Sequence, residues 1–390
     1  MQTQGIKSIK KLGVRSTLDF EVNHPDHNFY AEGIIVSNSH SLATSYLTAL
    51  TVYLKYKYPR EFYLACLKEI KGKPNFIEAI SQIQMELRHF GITLLPPHIL
   101  HSDIDFKIIG NDIVFGLGSI KGISEKTIEK LNKFRHPHSN KFEIFLGAKE
   151  AGLSVGVLGS MILVGALDKG DRSKLVYEAQ LFNLLTPNEK RLVTEIGSQF
   201  KYDLVACLRH LRTLKNEKGA PLIKDSRYAT LKRDELPYKK IYEHNSKHEK
   251  LTLWWNERAL LGYSYSISLM DIYKQAAPDL MTIEEVNTSL NKEKVHFVGE
   301  VVKVISKKGK DSGRKYMKAE IRDHTGSCFT MLCDTEKYWK LEEHKENNGR
   351  VMKETDIVVV RGSKGENIIF ADCIGIQEVG ILSKVSQIKE

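Results

Sequence analysis

The sequence predicts a mixed, multidomain chain: a short β-rich leader, a mainly α-helical body and a terminal five-stranded β-barrel. Three observations predict it. Strand-like alternation fills Thr17 to Val22 and resumes from Phe29 to Val36, around a turn at Asn23-His24-Pro25-Asp26. Helical spacing of apolar residues takes over from Ser39. A composition shift at Thr282 to Glu293 then gives way to strand-like segments separated by polar turns.

The leader carries chemistry at its end. An Asn side-chain amide can attack its own carbonyl carbon, close a succinimide and cut the chain, and Asn38 stands directly before a hydroxyl residue. Ser39 Oγ can hold an acyl group as an ester before that cut. His suits proton transfer near neutral pH, and His27 lies in the preceding strand-rich stretch. The order Asp19, His27, Gly33, Asn38, Ser39 resembles the C-terminal splicing region of an intein. The resemblance implies Asp19 as the acidic residue, His27 as the assisting histidine, Asn38 as the cyclising residue and Ser39 as the first downstream residue. Ser37 stands where many inteins carry His, so proton transfer falls to His27 and Asp19, and slower cleavage is expected. Chains below about 40 residues rarely fold alone, so residues 1–38 are expected to need a separate N-terminal intein half, as in a split intein. Splicing in cis from one end of a contiguous intein also fits. No cofactor is expected for this step.

After Ser39 the pattern changes. Ser39-His40-Ser41-Leu42-Ala43-Thr44-Ser45-Tyr46 opens an apolar helix through Leu47, Leu50, Leu54 and Tyr58, and Pro59-Arg60-Glu61-Phe62 starts a second with Pro near its first turn. These elements resemble the fingers region of the DNA polymerase III alpha subunit, the bacterial-type replicative polymerase. The likeness continues in order at Leu87 to Ile92, Leu95 to Ile99, Ser102-Asp103, Phe106, Phe115 to Ile123, Gly165 to Asp168 and Glu257 to Gly262, reaching about Ile376. It implies template-directed DNA synthesis shared with an upstream, catalytic half. The family's palm aspartates, and the Mg2+ they hold, are expected in that half, because in the family they lie upstream of the fingers element that opens at Ser39.

The formal net charge is +10. Lys7, Lys10, Lys11 and Arg15 balance Asp19, Glu21, Asp26 and Glu32 in the leader, so the excess lies beyond Asn38. A basic surface favours a polyanionic partner, here primer-template duplex and single-stranded DNA. Five irregularly spaced Cys give no disulfide or metal pattern, and Cys328 and Cys333 read as strand thiols in a reducing cytoplasm. No apolar run reaches membrane-spanning length and no signal peptide is visible, so no membrane partner is expected.

Gly118 and Gly122 bracket Ser119-Ile120-Lys121 before a helix through Ile128 and Leu131. This looks like a helix-hairpin-helix turn, in which glycines bring backbone amides to a DNA phosphate and Lys121 and Lys126 join the contact. Leu153 to Leu167 reads as core. Residues 170–250 are less legible. Tyr177 to Leu185 has helical spacing, and Gln180-Leu181-Phe182 within it offers a poorly spaced sliding-clamp peptide or, more simply, a core helix. Arg209, Arg212, Lys215, Lys218, Lys232, Arg233, Lys239 and Lys240 fit either a solvated insertion or a duplex-binding surface.

The final segments are Val295 to Ile305, Lys315 to Asp323, Ser327 to Leu332, Asp356 to Arg361 and Asn367 to Ile376, with a helical stretch at Thr335 to Glu343. Five strands with a helix after the third fit an OB-fold, a barrel suited to single strands. Lys307, Lys308, Lys310, Arg314 and Tyr316 follow the first strand, and Phe297, Phe329 and Phe370 offer stacking faces. Barrel core is the competing place for these rings. The expected divisions are an intein segment at 1–38, a fingers portion at 39–110, a helix-hairpin-helix region with a basic insertion at 111–281 and the OB-fold at 282–390. A second function class is a non-catalytic DNA-binding accessory protein carrying an inert leader.

Overall fold

The computed structural model describes residues 28–31, 34–37, 39–167, 170–308, 313, 315–332, 352–377 and 380–388. The chain forms two compact units, Met1–Phe62 and Tyr63–Glu390. In the first, β1 (Asn28–Ala31) and β2 (Ile34–Ser37) pair antiparallel, with Phe29 in register with Val36. Helix α1 (Ser39–Lys57) follows. Its Leu47, Leu50, Val52, Tyr53 and Leu54 are all exposed. Asp19, His27 and Asn38, the residues expected to splice, lie outside the described residues; Ser39 begins α1.

Helix α2 (Pro59–Ile70) starts on its Pro, whose missing N–H costs nothing there. Helix α3 (Phe76–Arg88) leads into a small sheet of β3 (Leu94–Leu95), β4 (Lys107–Ile109) and β5 (Asp112–Val114), with β5 central. A single 3-10 turn at Leu117–Ser119 precedes α4 (Glu125–Phe134), α5 (Lys141–Glu150) and α6 (Val155–Leu163). Asn140 and Ser154 start α5 and α6 by accepting from their first-turn amides.

Next come α7 (Arg172–Leu184), α8 (Pro187–Ile196), α9 (Leu204–Thr213), α10 (Asp225–Ser246) and α11 (Glu249–Leu261). Helix α7 is the predicted helix of the least legible region. Its Leu181 and Phe182 are fully buried, and Phe182 meets Phe142 and Phe145 of α5. Of the two readings of Gln180-Leu181-Phe182, the simpler one, a core helix, is what these side chains form, and a docking peptide would have to present the Leu and Phe that are buried here.

Two short helices, α12 (Leu269–Tyr273) and α13 (Ile283–Thr288), lead to the barrel. Its strands are β6 (Lys294–Lys308), β7 (Lys315–Arg322), β8 (Ser327–Leu332), β9 (Ile357–Lys364) and β10 (Ile369–Gln377). They close in the order β10-β8-β7-β6-β9, with β8 and β10 parallel and the other neighbours antiparallel. That is OB-fold topology. One long strand serves two sheets: β6 pairs with β9 up to Glu300 and with β7 from Glu300 on. A bulge between Val301 and Lys303 marks the bend. A Cβ on Gly299 would stand 2.6 Å from Ile321 Cγ2, so only Gly fits at this crossing. The helix expected at Thr335 to Glu343 lies outside the described residues.

Candidate nucleic-acid interface

The hairpin after β5 uses its glycines differently from the sequence expectation. A Cβ on Gly116 would stand 2.5 Å from the Asp105 carbonyl carbon, and one on Gly118 3.0 Å from Ile104 Cγ2. Both glycines therefore let the turn press against the chain before β4. The Gly118 amide donates to Ile104 O at 2.9 Å and the Lys121 amide to Leu260 O at 3.0 Å. Neither amide can serve a phosphate, which corrects the backbone role expected of them. Gly122 takes the left-handed conformation at φ +94° and turns the chain into α4. Among the described residues, the amides of Gly122, Glu125 and Lys126 take no partner, and Ser124 bonds Thr127 Oγ1 instead of capping α4. The Lys121 and Lys126 side chains are exposed beside them. The usable donors thus lie one step downstream, at the start of α4, where the helix dipole adds positive potential.

The barrel presents a second surface. Met317, Ala319 and Ile321 of β7 and Cys328 and Leu332 of β8 point inward, so alternation turns Lys318 and Phe329 outward. Phe329 is 44% exposed and Lys318 Nζ stands 4.3 Å from its ring centre. Phe370 is also 44% exposed, and it lies beside Met331 across the β8–β10 pairing. Phe297 is fully buried, so its expected stacking role is corrected to barrel core. Lys307 and Lys308 are exposed at the end of β6, and half-buried Tyr316 pairs with Lys307 across β7. Lys310 and Arg314 lie outside the described residues. Sequence reading missed Lys318, although its alternation with buried Met317 and Ala319 marks it as outward. Burial pushes the Cys328 thiol up to about 12, making it an inert core group.

The two surfaces are held together by a partly buried ring of ions. Arg258 of α11 bonds Glu300 of β6 at 2.8 Å and Glu78 of α3 at 3.1 Å. Arg322 of β7 bonds the same two carboxylates, Glu300 at 3.2 Å and Glu78 on both oxygens. Burial opposes ionisation of Glu78, but the two guanidinium groups outweigh it and hold its carboxyl below the usual range. Around the ring, Trp254 and Leu251 of α11 and Met270 of α12 pack on Val298 and Ile357 of the barrel. Glu257, next to Arg258, accepts from Arg172 at 2.7 Å and from the amides of Tyr265 and Ser266 at 3.0 Å. The Glu257 to Gly262 segment is thus a joint. A Cβ on Gly262 would stand 2.5 Å from Ile77 O.

Much of the basic stretch between α9 and α11 is internally neutralised. Arg212 pairs with Asp225, Lys232 with Glu235, Arg233 with Asp234 and Lys239 with Glu243. These four therefore favour the solvated-insertion alternative. Among the described residues, no cluster of three or more His, Cys, Asp or Glu side chains has metal-binding geometry, and no helix is long and apolar enough to cross a membrane.

Residues 91–175 match the family model of a helix-hairpin-helix motif. The chain is 27% identical to the DNA polymerase III subunit alpha of Helicobacter pylori (strain ATCC 700392 / 26695) over 81% of this chain and 25% of that protein. It is 31% identical to the subunit of the same name from Thermus aquaticus, over 36% of this chain and 12% of that protein. For Halalkalibacterium halodurans the identity is 32%, over 47% of this chain and 17% of that protein. The homologues are DNA polymerase III alpha subunits, and the chain spans a quarter or less of the length of these three.

Proposed function

We propose that this chain is the DNA-binding, C-terminal portion of a replicative polymerase of the DNA polymerase III alpha type. One observation carries the reading. The likeness to an alpha subunit runs over 81% of the chain, and along the chain a helix-hairpin-helix match is followed by an OB-type barrel. In this reading the start of α4, with Lys121 and Lys126, holds duplex phosphates without reading sequence. The barrel's Phe329 and Phe370 stack unpaired bases, while Lys307, Lys308, Lys310, Arg314 and Tyr316 line the backbone track. Template-directed synthesis then requires the catalytic half, whose carboxylates hold the Mg2+ ions. The test is titration with labelled single-stranded and duplex oligonucleotides; a chain that binds neither would overturn the proposal.

The same reading joins the halves at Asn38 and Ser39. An upstream acyl group passes to Ser39 Oγ as an ester. The Asn38 side-chain nitrogen attacks its own carbonyl carbon, with His27 and Asp19 handling protons. The Asn38–Ser39 peptide bond breaks, leaving a succinimide and a free Ser39 amine, which takes the acyl group from Oγ. Mixing with an N-terminal partner bearing the polymerase palm should yield a ligated product by intact mass. Asn38→Ala should abolish release of residues 39–390, and unchanged release would rule out the succinimide route.

A further inference from the structure

A cleft opens beside the ion ring, between the helical body and the barrel. Its volume is about 630 Å3, within the roughly 300–1,000 Å3 of a small-molecule site. Helix α3 lines it with Gln84, Met85 and Arg88, α12 with Met270, and the turn between β7 and β8 with His324. The acidic groups in its wall are already engaged. Glu300 is held by Arg258 and Arg322. Asp323 accepts from the Ile283 amide at 2.9 Å through one oxygen, and from the Thr325 and Gly326 amides at 2.7 and 3.0 Å through the other. Asp271 accepts from the Ser268 amide at 3.1 Å and its hydroxyl at 2.6 Å.

Two donors in the wall are not engaged in that way. Arg88 is exposed, and among the described residues no carboxylate pairs with it. Its Nη1 donates to the His324 carbonyl, which brings the guanidinium to the β7–β8 turn and leaves the rest of its donor fork free. The His324 ring is 36% exposed. Its Nδ1 is shut from solvent without a hydrogen-bond partner, 4.0 Å from Asp323 Oδ2, and its Nε2 takes no partner among the described residues. A guanidinium beside an imidazole, with the nearby carboxylates spoken for, suits a phosphate. A lone phosphate would fill only a corner of the cleft. The remaining wall suits a base. The Gln84 carboxamide takes no partner among the described residues, and it offers the donor and acceptor that a base edge complements. Met85 and Met270 add polarizable contacts for an aromatic face. An extended peptide would need a strand edge, but the barrel is closed and the Leu94 carbonyl of β3 already accepts from Tyr263 Oη at 3.0 Å.

We propose that this cleft binds a nucleotide, its phosphate held by Arg88 and His324 and its base read by Gln84. The site goes beyond the DNA-binding reading and uses none of the residues assigned to the hairpin or to the barrel track. Its ligand is either a free nucleotide or one nucleotide of a strand, since both present the same phosphate and base.

The test uses the full chain and mant-ATP, a fluorescent nucleotide that takes up energy from Trp254 in the cleft wall. Wild type should give a saturable transfer signal that unlabelled ATP displaces. Arg88→Gln changes an exposed side chain and leaves the ion ring intact, so the fold should persist and is checked by circular dichroism. Loss of charge-assisted hydrogen bonds to the phosphate should weaken binding about tenfold or more. Arg88→Lys keeps the charge but not the planar fork and should lose less. Gln84→Leu should flatten the preference among ATP, GTP, CTP and TTP, which a merely structural role would not do. Competition by a single-stranded oligonucleotide in the Phe329→Ala/Phe370→Ala variant identifies the source: displacement of the probe assigns the cleft to a nucleotide of a strand, and displacement by mononucleotides alone assigns it to a free one, either result supporting the site. No saturable signal, or equal affinity in Arg88→Gln, overturns the site and leaves the DNA-binding reading standing. Tripolyphosphate competing as well as ATP would leave a bare anion site and overturn the nucleotide assignment, as would an acidic peptide that displaces the probe better than any nucleotide.

Discussion

The helical hairpins and the barrel both gather cations, but they differ in what stands beside them. In the hairpins, Gly116 and Gly118 serve close packing, the Gly118 and Lys121 amides are engaged internally, and the lysines flank a helix start with no exposed aromatic ring among the described residues 115–126. On the barrel, Lys318 and two half-exposed rings share the outer face of adjoining strands. Charge without rings holds a backbone, whatever its bases do. Charge with rings needs bases that are unstacked and free. The difference predicts two separable binding modes on one chain, with the ion ring of Glu78, Arg258, Glu300 and Arg322 fixing one relative to the other.

The largest expected effect comes from breaking that joint. Arg322→Met leaves buried Glu300 and half-buried Glu78 sharing one guanidinium, and should cost about 2 kcal/mol in denaturant unfolding, less than a fully buried pair because Glu78 is partly screened by solvent. The pH dependence follows from Glu78, whose carboxyl is depressed in the fold. Its contribution is full above the ordinary carboxylate value and disappears as pH falls through the depressed value. Acid titration should therefore narrow the gap between wild type and Arg322→Met; a gap that stays constant into acid would contradict the ring's role.

Next in size are the rings. Phe329→Ala and Phe370→Ala should each weaken single-strand binding by about 1–3 kcal/mol, measured by anisotropy, while duplex affinity holds. The smallest effects belong to the exposed lysines. Lys121→Ala with Lys126→Ala should reduce the duplex salt slope by about 1.8 and lower affinity a few-fold. Neutralising Lys307, Lys308, Lys310 and Arg314 should flatten the single-strand slope instead. Equal loss on both ligands from either set would merge the two modes.

The barrel was legible because its strands alternate. Ser327 to Leu332 emerges with the predicted bounds, and Phe329 is placed outward by buried Cys328 and Leu332 around it. Phe297 was not legible, because α11 and α12 cover the first half of β6 and both of its faces are buried there. The ion ring was invisible for another reason: Glu78 and Arg322 lie 244 positions apart and look like ordinary surface charges in sequence. In the basic stretch, Pro237 falls inside α10 and signals a break that the helix does not make.

The central claim is that the barrel's outward rings read unpaired bases while the hairpins hold duplex. It is tested most directly by titrating the wild-type chain and the Phe329→Ala/Phe370→Ala variant with one labelled oligonucleotide, first single-stranded and then annealed to its complement. The account predicts that the variant loses affinity for the single strand by at least tenfold, an effect of about 1.4 kcal/mol or more, and keeps its affinity for the duplex. Equal loss on both, or none on the single strand, would contradict it.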